Sequence, residues 1–282
     1  MQIHNITAKD ASFPDALRNV DPSPKSINVL GELPKSDNLV AIVGTRKPTR
    51  YGEQVTYQLA SELAKAGAII VSGLAIGIDG IAHRAALDAG GRTIAVLAHG
   101  LDRIYPPRHR ALAKEILATG GALISEYEAG QPPLKHHFVE RNRIIAALSR
   151  VTIVTEAGQK SGALITARDA NNAGRTVLAV PGNITSPGSV GPNNLIRTGA
   201  TPITSATDVV TQLGFLAHEV VPVPAQSRDE AVILKLLGEG TSTSEQLIEQ
   251  SQLSAAQFAN IISLMEITGK VRNLGAGQWV RR

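Results

Sequence analysis

LVAIVGTRKPTRYGEQVTYQLASELAKAGAIIVSG, residues Leu39 to Gly73, sets two apolar runs on either side of a polar turn and a longer segment. The runs are rich in Val and Ile without polar alternation, as strands buried on both faces are. Between them Val55, Leu59 and Leu63 recur every four residues, the stripe of a helix packed on a sheet. Four further runs, RTIAVLA, GALISEY, VTIVTEA and RTVLAVPG, continue the alternation down the chain. Strand, helix, strand repeated in this way predicts helices on both faces of a parallel sheet. The predicted class is α/β, a Rossmann-like doubly wound, mainly parallel sheet. In such sheets the ligand crevice lies beyond the carboxyl ends of the strands, so the residues just after each strand are the candidates for function.

The 282 residues suffice for this domain and a smaller one. Aromatic residues make up only 3%, which leaves the core to Val, Ile, Leu and Ala. The absence of cysteine excludes disulfides and thiolate zinc sites. MQIHNITAKDAS has no basic region followed by an apolar block, and the longest apolar run, AIIVSGLAIGI, is interrupted and too short to span a bilayer. A cytoplasmic protein without a membrane partner is expected. The net charge is +4, and Lys135–Arg175 holds seven Lys and Arg against three Asp and Glu. Such a cluster suits a polyanion or a phosphorylated ligand, although a solvated helix face is the commoner explanation of any one cluster.

The expected organisation is an N-terminal lead-in over 1–38, the Rossmann-like domain over 39–217, a linker over 218–228 and a small domain over 229–282. The lead-in is rich in Pro and polar residues, with FPDAL as a short helix, and HEVVPVPAQSRD suits the linker. Beyond it, DEAVILKLL reads as a first helix. Ser242 with Glu245 and Ser254 with Gln257 have capping-box spacing at a second and a third. KVRNLGAGQWVRR reads as two strands around a Gly-containing turn, completing a winged-helix pattern. From Asp229 onward six acids face five bases, which favours a protein-contact module over a DNA reader.

Three strand ends carry the polar candidates. Gly44, Thr45 and Arg46 follow the first strand, where glycine admits a ligand to the backbone and arginine can fork onto a phosphate. No G-x-G-x-x-G or Walker A spacing occurs, so neither NAD nor an NTPase site is supported. Ser72, Gly73 and Gly77 follow the second strand and suit either a phosphate or tight turn packing. Asp79 and His83 stand at i, i+4 and fit an acid–base pair or, more commonly, a hydrogen bond tying the helix to its neighbour. After the fifth strand, Glu156, Lys160, Ser161 and Gly162 have the chemistry of an anion cradle. There Glu156 is either a base or an acceptor of backbone and hydroxyl hydrogen bonds. No G-x-S-x-G elbow supports a serine hydrolase, and the histidines lack paired metal spacing, so neither metal nor cofactor is expected.

VAIVGTR, VSGLAIGIDGIAHRAAL, TIAVL, YPPRH, ISEY, FVERNRIIAALS, TEAGQKSGALITA, GRTVLAVPG and SPGSVGPNNLIRTGA occur in this order and together resemble the DNA-processing protein A (DprA, also called Smf) family. The likeness runs over about Phe13 to Val210, and the tail resembles the family's winged-helix domain. It implies a non-enzymatic protein that binds and protects incoming single-stranded DNA and helps load RecA recombinase in natural transformation. It also implies a homodimer formed through the Rossmann-like domain.

Carried over residue by residue, the resemblance places Gly44, Thr45, Arg46, Ser72, Gly73 and Gly77 around the DNA path. Lys135, His137 and Phe138 belong to the loop before the RNR helix, followed by Arg141, Asn142 and Arg143. Lys160, Ser161, Gly162 and Thr166 complete the set, with Asp79, His83 and Glu156 as structural or polar support. Phe138 is the expected base-stacking platform and Lys135 a phosphate contact. Arg141 and Arg143 are expected at a helix start, where the dipole disfavours them unless an anion or a carboxylate such as Glu140 answers. The histidines have no metal role.

Two departures from the family pattern stand out. Val139 replaces the usual proline, which implies a looser loop, and His99 stands in a normally glycine-rich turn, where it is expected to narrow the crevice. The competing reading is a nucleotide-binding sensor or a phosphoribohydrolase-like enzyme on a related fold. Hydrolases of that kind resemble PGGxGTxxE, whereas TEAGQKSGALIT has Glu156 before the glycine and no acid at the catalytic position.

Overall fold

The computed structural model describes residues 2–34, 36–214, 227–238, 240–275 and 277–281, which form two compact units, Met1–His218 and Glu219–Arg282. The first unit begins with β1 (Ile3–Thr7), α1 (Asp15–Arg18) and β2 (Ser26–Gly31). The predicted alternation follows: β3 (Leu39–Val43), α2 (Arg50–Lys65), β4 (Ile69–Ser72), α3 (Ile78–Asp88), β5 (Thr93–Leu97), α4 (Arg110–Ala118) and β6 (Ala122–Ser125). It closes with α5 (Lys135–Leu148), β7 (Val151–Val154), α6 (Gly162–Asn172), β8 (Thr176–Ala179), α7 (Val190–Arg197), β9 (Thr201–Pro202) and α8 (Ala206–Leu213).

One sheet joins the strands in the order β1-β2-β6-β5-β4-β3-β7-β8-β9. From β6 to β9 every pairing is parallel, and all six apolar runs of the sequence are strands. Strand order reverses about β3, which lies between β4 and β7, so the crevice expected of this fold opens beyond the ends of β3 and β7. Val40, Ala41 and Ile42 are fully buried because helices cover both faces. Leu59 and Leu63 of α2 pack with Ile78, Ala82 and Ala85 of α3 on one face. On the other, Ile144, Ile145 and Leu148 of α5 pack with Ala163 and Ala167 of α6 and with Phe13 and Leu17.

The lead-in is not outside the sheet. β2 pairs antiparallel with β6, and β1 with β2, adding an antiparallel edge that the sequence reading does not include. The FPDAL helix is present as α1, whose Leu17 is fully buried.

The second unit holds α9 (Arg228–Gly238), α10 (Ser244–Ser251), α11 (Ala255–Ile267) and the hairpin of β10 (Val271–Gly275) and β11 (Gln278–Arg281), a winged helix. Its core is Ile233, Leu247, Phe258, Ile262, Met265, Val271 and Trp279, and Lys270 Nζ meets Glu230 Oε2 at 2.6 Å in its interior. Ser254 and Gln257 form the predicted capping box at α11. At α10 the cap is Thr243, one residue later than expected, with its hydroxyl accepting from Gln246 N. Residues 218–226 of the expected linker lie outside the described residues.

Candidate nucleic-acid interface

The loop after β3 is fixed from both sides. Thr45 N donates to Glu156 O at the end of β7 (2.7 Å), and Thr45 O accepts from Ile78 N at the start of α3 (3.2 Å). Glu156 itself is buried, and its carboxylate accepts from Thr49 N (2.8 Å) and Thr49 Oγ1 (2.7 Å). Thr49 is also the N-cap of α2. Of the two roles open to Glu156, the structure therefore shows acceptance of backbone and hydroxyl hydrogen bonds. The result is a rigid turn that leaves Gly44 and Thr45 half-buried and Arg46 exposed.

A second, deeper set of polar groups lies beneath the ends of β4 and β5. Ser72 is buried, with its hydroxyl donating to Ile42 O (2.7 Å). Asp79 is buried too and turns back on its own loop, accepting from Gly73 N (3.0 Å) and Ala75 N (3.4 Å). Arg141 reaches the same place from α5: its guanidinium donates to Gly73 O (2.8 Å) and to Val96 O. A side chain at Gly73 would meet that guanidinium at 2.6 Å, so glycine there lets Arg141 reach the loop. Gly77 opens α3 at a φ of 85°, which glycine alone adopts without strain.

Burial raises the Asp79 carboxyl above the usual carboxylate range, against the opposing pull of Arg141. Burial likewise lowers Arg141, to about 10, while Asp79 supports its charge. Asp79 and His83 do not pair. His83 Nδ1 meets Thr93 Oγ1 at 2.7 Å, and that hydroxyl donates to Ile70 O, so the neutral ring carries its proton on Nδ1. The tie from helix to sheet is real, with Thr93 as the partner. Burial pushes His83 down to about 3.

The stretch expected as a loop before the RNR helix is already helical, since α5 begins at Lys135. Val139 therefore sits within a regular helix, exposed, and no loose loop results. His137 is buried, stacked on Tyr127 with ring centroids 3.9 Å apart, and bonded through Nδ1 to Pro132 O (3.2 Å). Arg143 is buried and bonded to both oxygens of Glu126 (2.8 and 2.7 Å). Glu140, the carboxylate considered for that role, instead accepts from Tyr127 OH (2.7 Å). Asn142 is buried against the start of α6, donating to Gly162 O (3.4 Å), and Thr166 is buried in α6. His99 points inward rather than across the crevice, with Nδ1 donating to Gly100 O (2.9 Å).

What remains at the surface is a compact group. Phe138, on the first turns of α5, is half-buried, with the Arg46 guanidinium 5.2 Å and that of Arg141 5.9 Å from its ring centroid. Tyr105, 45% exposed, lies at its edge, 6.0 Å between centroids. Lys135 and His136 are exposed in the first turn of α5, which has no acidic residue and no side-chain cap. Cations at that end are opposed by the helix dipole, and an anion would relieve the conflict. Lys160 and Gly162 are exposed and Ser161 half-exposed at the start of α6, where Ser161 is the N-cap. Arg46, Lys47, Lys135 and Lys160 form no ion pair among the described residues.

Tyr105 and Lys47 are absent from the sequence-derived set. Lys47 directly follows the GTR motif, inside the stretch Leu39 to Gly73, and Tyr105 opens YPPRH, so both lay within sequence already singled out. A cleft of about 530 Å³ lined by Val139 carries Asp21, Glu126, Glu140 and Asp169 against Arg143 and Arg168. Among the described residues no three His, Cys, Asp or Glu side chains are placed to hold a metal ion, and no helix is long and apolar enough to cross a membrane.

Residues 4–214 match the family model of DNA recombination-mediator protein A, and residues 217–277 that of the DprA winged helix domain. Protein Smf of Escherichia coli is 43% identical over 225 residues, covering 79% of this chain and 60% of its own length. The putative DNA processing protein DprA of Mycobacterium tuberculosis is 42% identical over 255 residues, covering 84% of this chain and 65% of its own. The chain thus spans less than two thirds of either relative. Among solved structures, DNA processing protein A of Helicobacter pylori, reported for its unique single-stranded DNA binding mode, superposes with a TM-score of 0.68. It is 36% identical, over 76% of this chain and 96% of its own. The Streptococcus pneumoniae protein gives a TM-score of 0.70 at 38% identity, over 77% and 76% of the two chains.

Proposed function

From the chain's membership of the DNA recombination-mediator protein A family, we propose that it binds single-stranded DNA across the carboxyl edge of the sheet, without turnover. The observation that carries this reading is the surface group of Arg46, Phe138 and Lys135. A guanidinium and an ammonium that form no ion pair among the described residues flank a half-buried aromatic ring at a helix N-terminus. Phosphates supply the missing negative charge, and a base takes the place of the Arg46 guanidinium against Phe138. Tyr105 extends the aromatic surface, and Lys47 and Lys160 continue the positive track. The acidic cleft beside Val139 repels the backbone and bounds the path on that flank.

The buried Glu156 carboxylate supports a reading without hydrolysis. Both its oxygens are engaged by Thr49 and the residue is buried, so the carboxylate is not presented to a ribose. Protection of incoming strands, loading of RecA recombinase, pairing of two copies through the Rossmann-like unit and a cytoplasmic setting complete the proposal. These rest on the family resemblance.

Titration with a single-stranded oligonucleotide, its duplex and mononucleotides at several salt concentrations tests the reading. Preference for the single strand with a steep salt dependence is expected. Tight mononucleotide binding together with a salt-independent oligonucleotide affinity would sink it.

A further inference from the structure

Helix α11 is anchored in its unit by Phe258, Ile262 and Met265, all buried. At 3.6 residues per turn, the opposite face is formed by Ala256, Asn260, Ser263, Leu264 and Ile267. All five are exposed, Leu264 to 58% and Ile267 to 82%. This is the third helix of a winged helix, yet it has no Lys or Arg, and its one charged side chain, Glu266, lies off the stripe. A face without cations offers nothing to a phosphate backbone. Exposed Leu and Ile on a single charge-free stripe call for an apolar cover.

We propose that the cover is the same stripe of a second copy, α11 packed antiparallel on α11 about a two-fold axis at Asn260. The distribution of side-chain size along the stripe argues for this occupant. Leu264 and Ile267 lie in the C-terminal half, while Ala256 and the neighbouring Ala255 and Ala259 lie in the N-terminal half. Antiparallel pairing sets Leu264 of each copy into the space over Ala256 of the other, and Ile267 beside the half-buried Leu253. Large against small, repeated by symmetry, is the self-complementary pattern an isologous contact needs.

Charge and polarity agree with that register. Glu266 comes opposite Ser254, so no carboxylate meets another. Asn260 meets its twin on the axis, where each amide offers both a donor and an acceptor. Two helices of this length bury less than the ~1,600 Å² of a standard interface, so the pairing is a weak one, measured at high protein concentration.

The chain has no cysteine, so a single introduced thiol reports cleanly. Asn260→Cys in the full chain, without nucleic acid and treated with a short bis-maleimide, is expected to give covalent dimers. The yield should exceed that of Glu249→Cys, on the exposed side of α10, by about tenfold, given the 8–10 Å separation of packed helices. Ala256→Cys and Leu264→Cys should cross-link with each other far better than either with itself. Adding Leu264→Asp and Ile267→Asp to Asn260→Cys should abolish the product, and since both positions are exposed the fold survives, as circular dichroism would verify. Equal yields at 260 and 249, a product insensitive to the two aspartates, or protection of the 260 thiol by duplex DNA would each overturn the proposal.

Discussion

Two layers of cationic side chains lie at the carboxyl edge of the same sheet, and they do opposite work. In the inner layer Arg141 spans the ends of β4 and β5 and Arg143 grips Glu126, both buried. In the outer layer Arg46, Lys135 and Lys160 are exposed and form no ion pair among the described residues. Desolvation separates the roles. A buried guanidinium without its acceptors is strongly destabilising, whereas an exposed one costs the fold little and remains available to a ligand. Both layers are needed for a binding surface, since the inner one fixes the turns on which the outer one is displayed.

The largest test of that contrast is Arg141→Ala. It strips Gly73 O and Val96 O of their donor and leaves Asp79 without the neighbouring charge, so the loss of stability should be about 3–5 kcal/mol by denaturant unfolding. Arg46→Ala should stay within about 0.5 kcal/mol of wild type. Equal effects of the two substitutions would erase the distinction between layers.

His83 belongs with the inner layer and gives a pH signature. Its folded value near 3 lies below the ordinary histidine value, so falling pH protonates the unfolded ring first and favours unfolding. The stability tied to this ring is complete above about pH 6.5 and declines toward pH 3, by up to about 1.4 kcal/mol per unit. Between pH 6.5 and 5 wild type should therefore lose about 1.6 kcal/mol more stability than His83→Gln. Parallel slopes would mean that the ring is solvated.

Phe138 lies between the layers, half-buried and touching a cation from each. Phe138→Ala should weaken single-strand binding by about 1–3 kcal/mol with the salt dependence unchanged, because stacking releases no counterions. A flattened salt dependence would instead show that the ring acts by positioning Arg46.

The division between layers is what the sequence could not display. Six of the seven parallel strands were legible because burial on both faces leaves uninterrupted Val- and Ile-rich runs; β9, two residues long, has no such run. β1 and β2 were not, since IHNIT and SINVLG are short and mixed in polarity; the alternation of the buried Ile27 and Val29 was the available signal. The RNR motif was visible as a charge cluster, but burial depends on partners distant in the chain. Gly73, Val96 and Glu126 come to Arg141 and Arg143 only through the fold. The start of α5 was misplaced because KHHF contains no N-cap residue, and the structure shows no side-chain cap there. Glu156 could be reduced to two roles from its position at a strand end. Choosing between them required Thr49, which only the sheet brings beside it.

The most direct measurement is the slope of log affinity for a single-stranded oligonucleotide against log salt, in wild type and in Arg46→Ala, Lys135→Ala and their combination. Each substitution should reduce the slope by about 0.7, and the pair by about 1.4, as two phosphate contacts are lost from a single strand. An unchanged slope and affinity in the double variant would contradict the account, since the DNA would then run elsewhere on the molecule.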